Sequence, residues 1–412
     1  MLLIVQSHAQ AGFYGRIDSR LQVESDRSNS IGFFEEYADI RFVDEQKGVE
    51  SVASFSFRHD DQHELNIHQL YYVKKMDGPI LSYKLGRFER ADNLGFYTLD
   101  GVALTSKNNN VLSKLYLGKP SRVDGYSAVT GDILYGIDLF SSNIQLPQIS
   151  PNITFKPSVI RMGWQRLENE WLNERQSEIR FNWGVSSTAD VKNHVLNGLG
   201  FNFNGSYLTS EGQAEQINFK LYADAEQNRR LQIGYETFTS DKQELSFREQ
   251  FYSVYVNGRQ SSWSGSYFFK TNALTHWEVK ARKTVRESGL IGYGLTIGRA
   301  LDKYSGTGYN TQLDFLNLNQ EKALSLYAET DYSFSPLVTS TFGLAIQHKK
   351  TWLAGSNHAL AVDMNLQKMI RSGLYFSTAL TTVLNSNAED EFILGLKVSY
   401  YFDERIKEKS ND

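Results

Sequence analysis

Phe392-Ile393-Leu394-Gly395-Leu396-Lys397-Val398-Ser399-Tyr400-Tyr401-Phe402 lies ten residues short of the end of the chain. Every second residue is apolar or aromatic, and the residues between include Gly, Lys and Ser. Successive side chains of a strand point to opposite faces, so Phe392, Leu394, Leu396, Val398, Tyr400 and Phe402 share one face of a sheet. The segment is a strand with one oily face and one wet face. If strands of this type fill the chain, the oily faces need a partner that no second layer supplies, and a lipid bilayer is the natural candidate.

Composition narrows the choice. The 412 residues suffice for two or three ordinary domains or for one large barrel. Aromatics make up 13%, with 23 Tyr and 25 Phe; Gly is frequent at 31, Pro scarce at 6, and Cys absent. The lack of Cys excludes disulfide scaffolds, thiolate metal sites and cysteine nucleophiles, and it is compatible with an oxidising compartment. Mean hydropathy is −0.42, and no apolar run is long enough for a membrane helix. A barrel escapes that exclusion because half of its strand residues face water. The net charge of −4 is spread out with no basic block, which removes the electrostatic argument for nucleic-acid binding. Met1-Leu2-Leu3-Ile4-Val5, followed by Ser7-His8-Ala9-Gln10-Ala11, reads as the tail of a secretory signal, with an apolar stretch running into a small-x-small site. The basic start of such a signal is missing and the apolar stretch is short, so a buried first strand is the other reading.

Strand-like segments of about ten residues, enough to cross a bilayer at a tilt, recur almost without interruption. Phe13, Ile17, Leu21 and Val23 alternate with Tyr14, Arg16, Asp18, Arg20 and Gln22. Ile217, Phe219, Leu221 and Ala223 oppose Asn218, Lys220, Tyr222 and Asp224, and Leu324, Leu326, Ala328, Thr330 and Tyr332 oppose Ser325, Tyr327, Glu329 and Asp331. Turn signals separate the strands, among them Asp44-Glu45-Gln46-Lys47-Gly48, Met76-Asp77-Gly78-Pro79, Asn108-Asn109-Asn110, Asn257-Gly258, Glu287-Ser288-Gly289 and Ser335-Pro336. A soluble sandwich also alternates, but aromatics gather toward the strand ends of the oily face, as membrane girdles require. No sustained helical period appears. The expected fold is all-β: a single transmembrane antiparallel up-and-down β-barrel of about 18–24 strands, best read as about 22. It would occupy 12–402, with a signal remnant at 1–11 and a charged periplasmic tail at 403–412. Longer connections are expected at 90–99, 120–131, 141–154 and 168–176.

The terminal strand resembles the closing strand of bacterial outer-membrane β-barrels, with Gly395, then Val398 and Tyr400 at alternate positions, closing on Phe402. In that family the segment is read by the barrel-assembly machinery. In many members the aromatic is the last residue, whereas here 403–412 follow. Leu85-Gly86-Arg87-Phe88, with Leu94-Gly95-Phe96 and Leu99-Asp100-Gly101-Val102, is similar to a strand-loop-strand segment of porin-like families. The resemblance implies an outer-membrane location, contact with outer-membrane lipid and lipopolysaccharide, and the assembly machinery as a partner.

On this register Arg16, Arg20, Asp39, Arg41, Arg58, Lys84, Lys114, Asp138, Arg161, Arg180, Lys220, Asp224, Glu278, Lys280, Arg282, Asp314, Glu329, Asp331, Asp363 and Lys397 point to the lumen. They read either as a pore lining that tunes selectivity or as charges that merely keep the interior hydrated and rigid. Both signs are present, so weak selectivity at most is expected. Arg58-His59-Asp60-Asp61-Gln62-His63-Glu64, with His68, fits no zinc spacing and reads as a solvated hairpin tip. His194, His276, His348 and His358 lack a nucleophile segment, so no enzyme, metal or cofactor is expected. The expected function is a porin-like channel for passive diffusion of small hydrophilic solutes or ions. The alternative is a scaffold barrel sheathing a periplasmic or lumen-inserted partner protein, as the porin component of a porin-cytochrome conduit does.

Overall fold

The computed structural model describes residues 11–25, 30–59, 63–92, 95–124, 127–130, 133–148, 150–168, 178–191, 196–209, 213–225, 229–239, 259–304, 306–318, 321–351, 355–386 and 390–404. The first half of the chain forms β1 (Ala11–Ser25), β2 (Ser30–Asp44), β3 (Val49–His59), β4 (Glu64–Lys75), β5 (Ile80–Asp92), β6 (Gly95–Asn108), β7 (Val111–Asp124), β8 (Ser127–Thr130), β9 (Ile133–Ile144), β10 (Ile153–Phe155), β11 (Ser158–Glu168) and β12 (Glu178–Val191). The second half forms β13 (Gly198–Leu208), β14 (Gln213–Asp224), β15 (Arg229–Thr239), β16 (Arg259–Lys270), β17 (Thr275–Arg286), β18 (Ile291–Tyr304), β19 (Thr307–Leu318), β20 (Glu321–Ser335), β21 (Val338–Thr351), β22 (Gly355–Arg371), β23 (Leu374–Asn385) and β24 (Glu391–Asp403).

Each long strand pairs antiparallel with the next, and β24 returns to pair with β1, so the wall is a closed up-and-down barrel of 22 strands. The short β8 only extends the β7 hairpin, and β10 adds to β12; neither joins the wall. Closure follows from the strands themselves. An open sheet would leave two rows of backbone N–H and C=O groups unpaired, which is untenable where no water can reach them. The closing register sets Leu396 opposite Leu21, Val398 opposite Ser19 and Tyr400 opposite Ile17. At this seam Gly15 faces Phe402, whose Cζ lies 3.0 Å from where a glycine Cβ would stand, so the ring covers the gap. Two salt bridges clamp the other face: Asp18 meets Arg16 at 3.1 Å on its own strand and Lys397 of β24 at 3.0 Å.

The two faces of the wall differ in their prevailing character. Phe13, Ile17 and Leu21 of β1, Leu231 and Ile233 of β15, and Leu394, Leu396 and Val398 of β24 are exposed on the outward face. Asp18, Gln22, Arg58, Gln165 and Arg180 are buried on the inward one. Aromatics flank the outward band. Phe13 packs on Phe42 and Phe269 on Trp277 toward the rim that holds both termini, while Tyr135 packs on Trp164 and Tyr235 on Trp263 toward the far rim. This is the architecture of a porin-like transmembrane β-barrel. Individual wall strands run from 11 to 17 residues, so the longer ones reach past the apolar band. Register shifts fall mostly near the terminal rim, as between Ser333 and Ser335 or Met369 and Arg371, where β-bulges bend a strand into its turn.

Most expected turns lie where the residues placed them. The β2–β3 turn carries Gly48 at a φ of 60°, and the β6–β7 turn carries Asn109 at 50°. The expected long connection at 90–99 needs correction, while the one at 120–131 is found slightly later, between the wall strands β7 and β9. β5 runs to Asp92 and β6 starts at Gly95, while β7 runs on to Asp124 and pairs with β8. Those polar residues sit on strands that extend past the oily band, where alternation no longer needs an apolar partner. The connection expected at 141–154 lies a few residues further on, since β9 continues to Ile144 and the next wall strand, β11, begins at Ser158. Residues 169–177, the turn signal Asn257-Gly258, most of the signal remnant and the end of the charged tail lie outside the described residues; β1 begins at Ala11 and β24 ends at Asp403.

Adjacent positions on β23 separate the two faces experimentally. Leu380→Arg, facing outward, should lower folding stability in phosphocholine vesicles by about 2–4 kcal/mol. Thr381→Arg, inward and directly opposite Asp363, should cost under about 1 kcal/mol. Urea titrations giving equal losses would contradict the assigned faces. Asp18→Asn should weaken the seam by about 1–3 kcal/mol, because it strips the counter-charge from two cations that stay about one-third exposed (35% and 36%). The readout is a lower midpoint for the heat-induced mobility change in detergent gels, with Asp18→Glu restoring part of it.

Candidate functional site: the inward wall

The inward face is set by register rather than by a motif. Arg16 and Arg20 share the inward phase of β1 with Asp18, and Asp39 and Arg41 are paired opposite Arg16 and Tyr14. Arg58 of β3 is buried against the ring of Phe33, with its guanidinium 3.9 Å from the ring centre. Lys84 of β5 lies 4.0 Å over Tyr71, and Arg161 of β11 lies 5.5 Å from Phe140. Arg180 of β12 is buried opposite Gln165. Lys220 and Asp224 of β14, then Glu278, Lys280 and Arg282 of β17, occupy the phase opposite their strands' exposed apolar residues. Asp314 of β19, Glu329 and Asp331 of β20, and Asp363 of β22 do the same, as do Lys114, Asp138 and Lys397.

What the linear order hid is how the signs are arranged. Over β1 and β2 and again over β5 to β15, cations and carboxylates pair: Arg41 with Asp39 at 3.2 Å, Arg90 with Asp138 at 3.0 Å, and Arg230 with Asp224 at 2.6 Å. On β19 to β22 they do not. Asp314 accepts hydrogen bonds from Thr296 (2.5 Å) and Gln312 (2.6 Å), Asp331 accepts one from Thr341 (2.7 Å), and Glu329 accepts one from Tyr327. Asp363 stands opposite Gly343, which has no side chain to meet it. The first three carboxylates are oriented by neutral donors, and among the described residues none of the four has a cation within ion-pair distance. The inward phase of β18 to β23 holds a single described cation, Lys349, near the far rim. One sector of the wall is therefore acidic.

A second feature departs from a uniformly polar lining. Phe88, Tyr97, Leu99, Ala103, Tyr116 and Leu134 form a buried apolar cluster on the inward phase of β5, β6, β7 and β9. Arg90 is stacked 3.5 Å over Tyr116 and donates from Nε to the Tyr97 hydroxyl at 3.0 Å. The signal was present in the inward phase of Phe88 and Leu99, which break the polar half of the alternation. Arg87, one residue away, falls on the outward face and forms a bidentate pair with Asp100 at 2.5 Å.

The described part of the histidine-rich tip is divided between the two faces of the wall. His59 points outward beside Phe57, whereas His68 points inward and its Nε2 lies 2.9 Å from Ser56 Oγ. Residues 60–62 lie outside the described ones, and no group of metal-ligating side chains occurs among those described. His194 lies outside as well, and His276 sits 3.8 Å from Asp302. His348 and His358, which lack a nucleophile segment in the sequence, have their Nδ1 atoms 3.3 Å apart across β21 and β22. Of the closing-strand residues, Gly395 is inward, while Val398, Tyr400 and Phe402 are outward.

No family model and no curated protein matches the chain. Solved structures similar to it include OpdQ of Pseudomonas aeruginosa, 12% identical with a TM-score of 0.45, covering 96% of this chain and 99% of that one. OccK5 (OpdH) of the same organism is 12% identical with a TM-score of 0.44, covering 96% and 98%. OccAB4 of Acinetobacter baumannii is 11% identical with a TM-score of 0.42, also covering 96% and 98%. At these scores the likeness carries no functional argument, and function must be argued from the wall itself.

Proposed function

We propose that the chain is an outer-membrane channel of porin type that passes small hydrophilic solutes or ions down their gradients. The observation that carries this reading is the combination of a closed wall, oily outside, with an inward face of charged and hydrogen-bonding side chains. A ring of 22 strands at a tilt of about 40° encloses a barrel about 45 Å across between backbones, before side chains and connections narrow it. Such a lumen works through width and field and needs no covalent step. Solutes exchange bulk water for water held by the wall, and the fixed charges bias which ions enter.

The sign of that bias comes from the sector over β19 to β22. Carboxylates held by hydroxyl and amide donors stay available to mobile cations, whereas carboxylates paired with Arg are largely neutralised. The channel should therefore favour cations modestly. The sequence alone suggested a mixture of signs; the register points to segregation.

Planar-bilayer recordings on the refolded full chain test both levels. Discrete conductance steps are expected, and none above background would sink the open-channel reading. In a salt gradient the reversal potential should have the sign of cation preference. Replacing the acidic sector with Asp314→Asn, Glu329→Gln and Asp363→Asn together should move it toward the anion side while leaving step frequency unchanged. An unchanged reversal potential would remove the acidic sector from the account.

A further inference from the structure

The outward face of β20, β21 and β22 carries an arrangement that the channel reading does not use. Lys322 stands directly opposite Lys350, and one step nearer the membrane His348 stands directly opposite His358. All four are exposed, beyond the apolar band, at the rim away from the chain termini. Like charges placed opposite one another across strands destabilise a sheet, so the Lys322–Lys350 pair is a local cost with no visible return. Neither lysine has an ion-pair partner among the described residues, and the outward phase of β19 to β24 includes no described carboxylate.

The imidazoles add direction to this charge. With Nδ1 atoms 3.3 Å apart, one imidazole donates and the other accepts; the accepting ring then carries its proton at Nε2, so the pair presents at least one outward N–H donor beside the two ammonium groups. Immediately below lie Leu324, Ile346 and Leu384, each close to half exposed and facing where acyl chains would run. Cations and N–H donors above, with an apolar surface beneath, match a molecule that has an anionic, acceptor-rich head and hydrocarbon tails.

We propose that Lys322, His348, Lys350 and His358 form a docking site for the phosphate-bearing headgroup of an outer-leaflet lipid. The ammonium groups and the imidazole N–H groups meet the phosphate oxygens, and the leucine and isoleucine surface meets the chains. Docking relieves the like-charge lysine pair and fixes the level at which this side of the barrel sits. The site rests on the membrane-barrel reading but not on the lumen being open.

The test uses the full chain inserted in phosphatidylcholine bilayers containing a minor fraction of bisphosphorylated lipid A, with lipid retained after detergent extraction measured by mass spectrometry. The native barrel should retain lipid A over its dephosphorylated form. Lys322→Gln with Lys350→Gln should reduce retention about tenfold or more, and His348→Gln with His358→Gln should reduce it further. Lys368→Gln, outward at the opposite rim, should leave it unchanged and serves as the control. Equal retention by native and lysine-substituted barrels overturns the site while leaving the membrane reading standing, whereas failure of the native barrel to insert overturns both. Dependence on the histidines alone, and only with added zinc, overturns it in favour of a metal site. Competition by inorganic phosphate as strong as by lipid A overturns the lipid assignment.

Discussion

The barrel exists because backbone polar groups need partners. Across β1 and β24 the ladder runs from Tyr14 with Asp403 to Ser25 with Phe392, and this one pairing turns a long sheet with two raw edges into a wall with none. Everything else depends on it. Once the sheet closes, the period of two stops being a local pattern and becomes a division of space, with odd positions of β1 outside and even positions inside. The Asp18 bridge between Arg16 and Lys397 and the Phe402 ring over Gly15 secure that seam from its two sides.

Closure also decides what a charge means. A lysine on the inward phase, such as Lys220, faces an aqueous interior and helps set a field. One on the outward phase, such as Lys350, stands on the outer surface and adds nothing to that field. The two populations cannot be told apart by composition, which reports a net charge of only −4. They separate once each residue has a phase and a height on the wall. The acidic sector and the cationic rim patch sit on the same strands, β20 to β22, on opposite faces. The acidic lining and the cationic patch are thus built from alternate residues of one sheet segment.

Much of this was legible in the residues. The alternation in 392–402 predicted a strand whose oily side holds Leu394, Leu396 and Val398, and those side chains do face outward. Turn residues marked most hairpins, because positive φ demands Gly or Asn whatever surrounds them. The phase of the charged residues followed from the same parity. What could not be read was anything that depends on which residue lies opposite which. The sign segregation on β19 to β22, the Arg90 stack on Tyr116 and the His348–His358 pair are cross-strand facts, and a shift of one residue in register would abolish them. The expected loop at 90–99 failed for a related reason: beyond the apolar band strands keep their hydrogen bonds but lose the alternation that reveals them.

The central claim is that one face of this wall meets lipid and the other meets water, and the absence of cysteine makes it directly measurable. Single cysteines placed in turn from Phe392 to Phe402, in the protein refolded into lipid bilayers, can be probed with a charged, water-soluble maleimide. Strong labelling is predicted at 393, 395, 397, 399 and 401, with weak labelling at 394, 396 and 398 in the lipid band. Uniform labelling along the strand, or the opposite phase, would contradict the account.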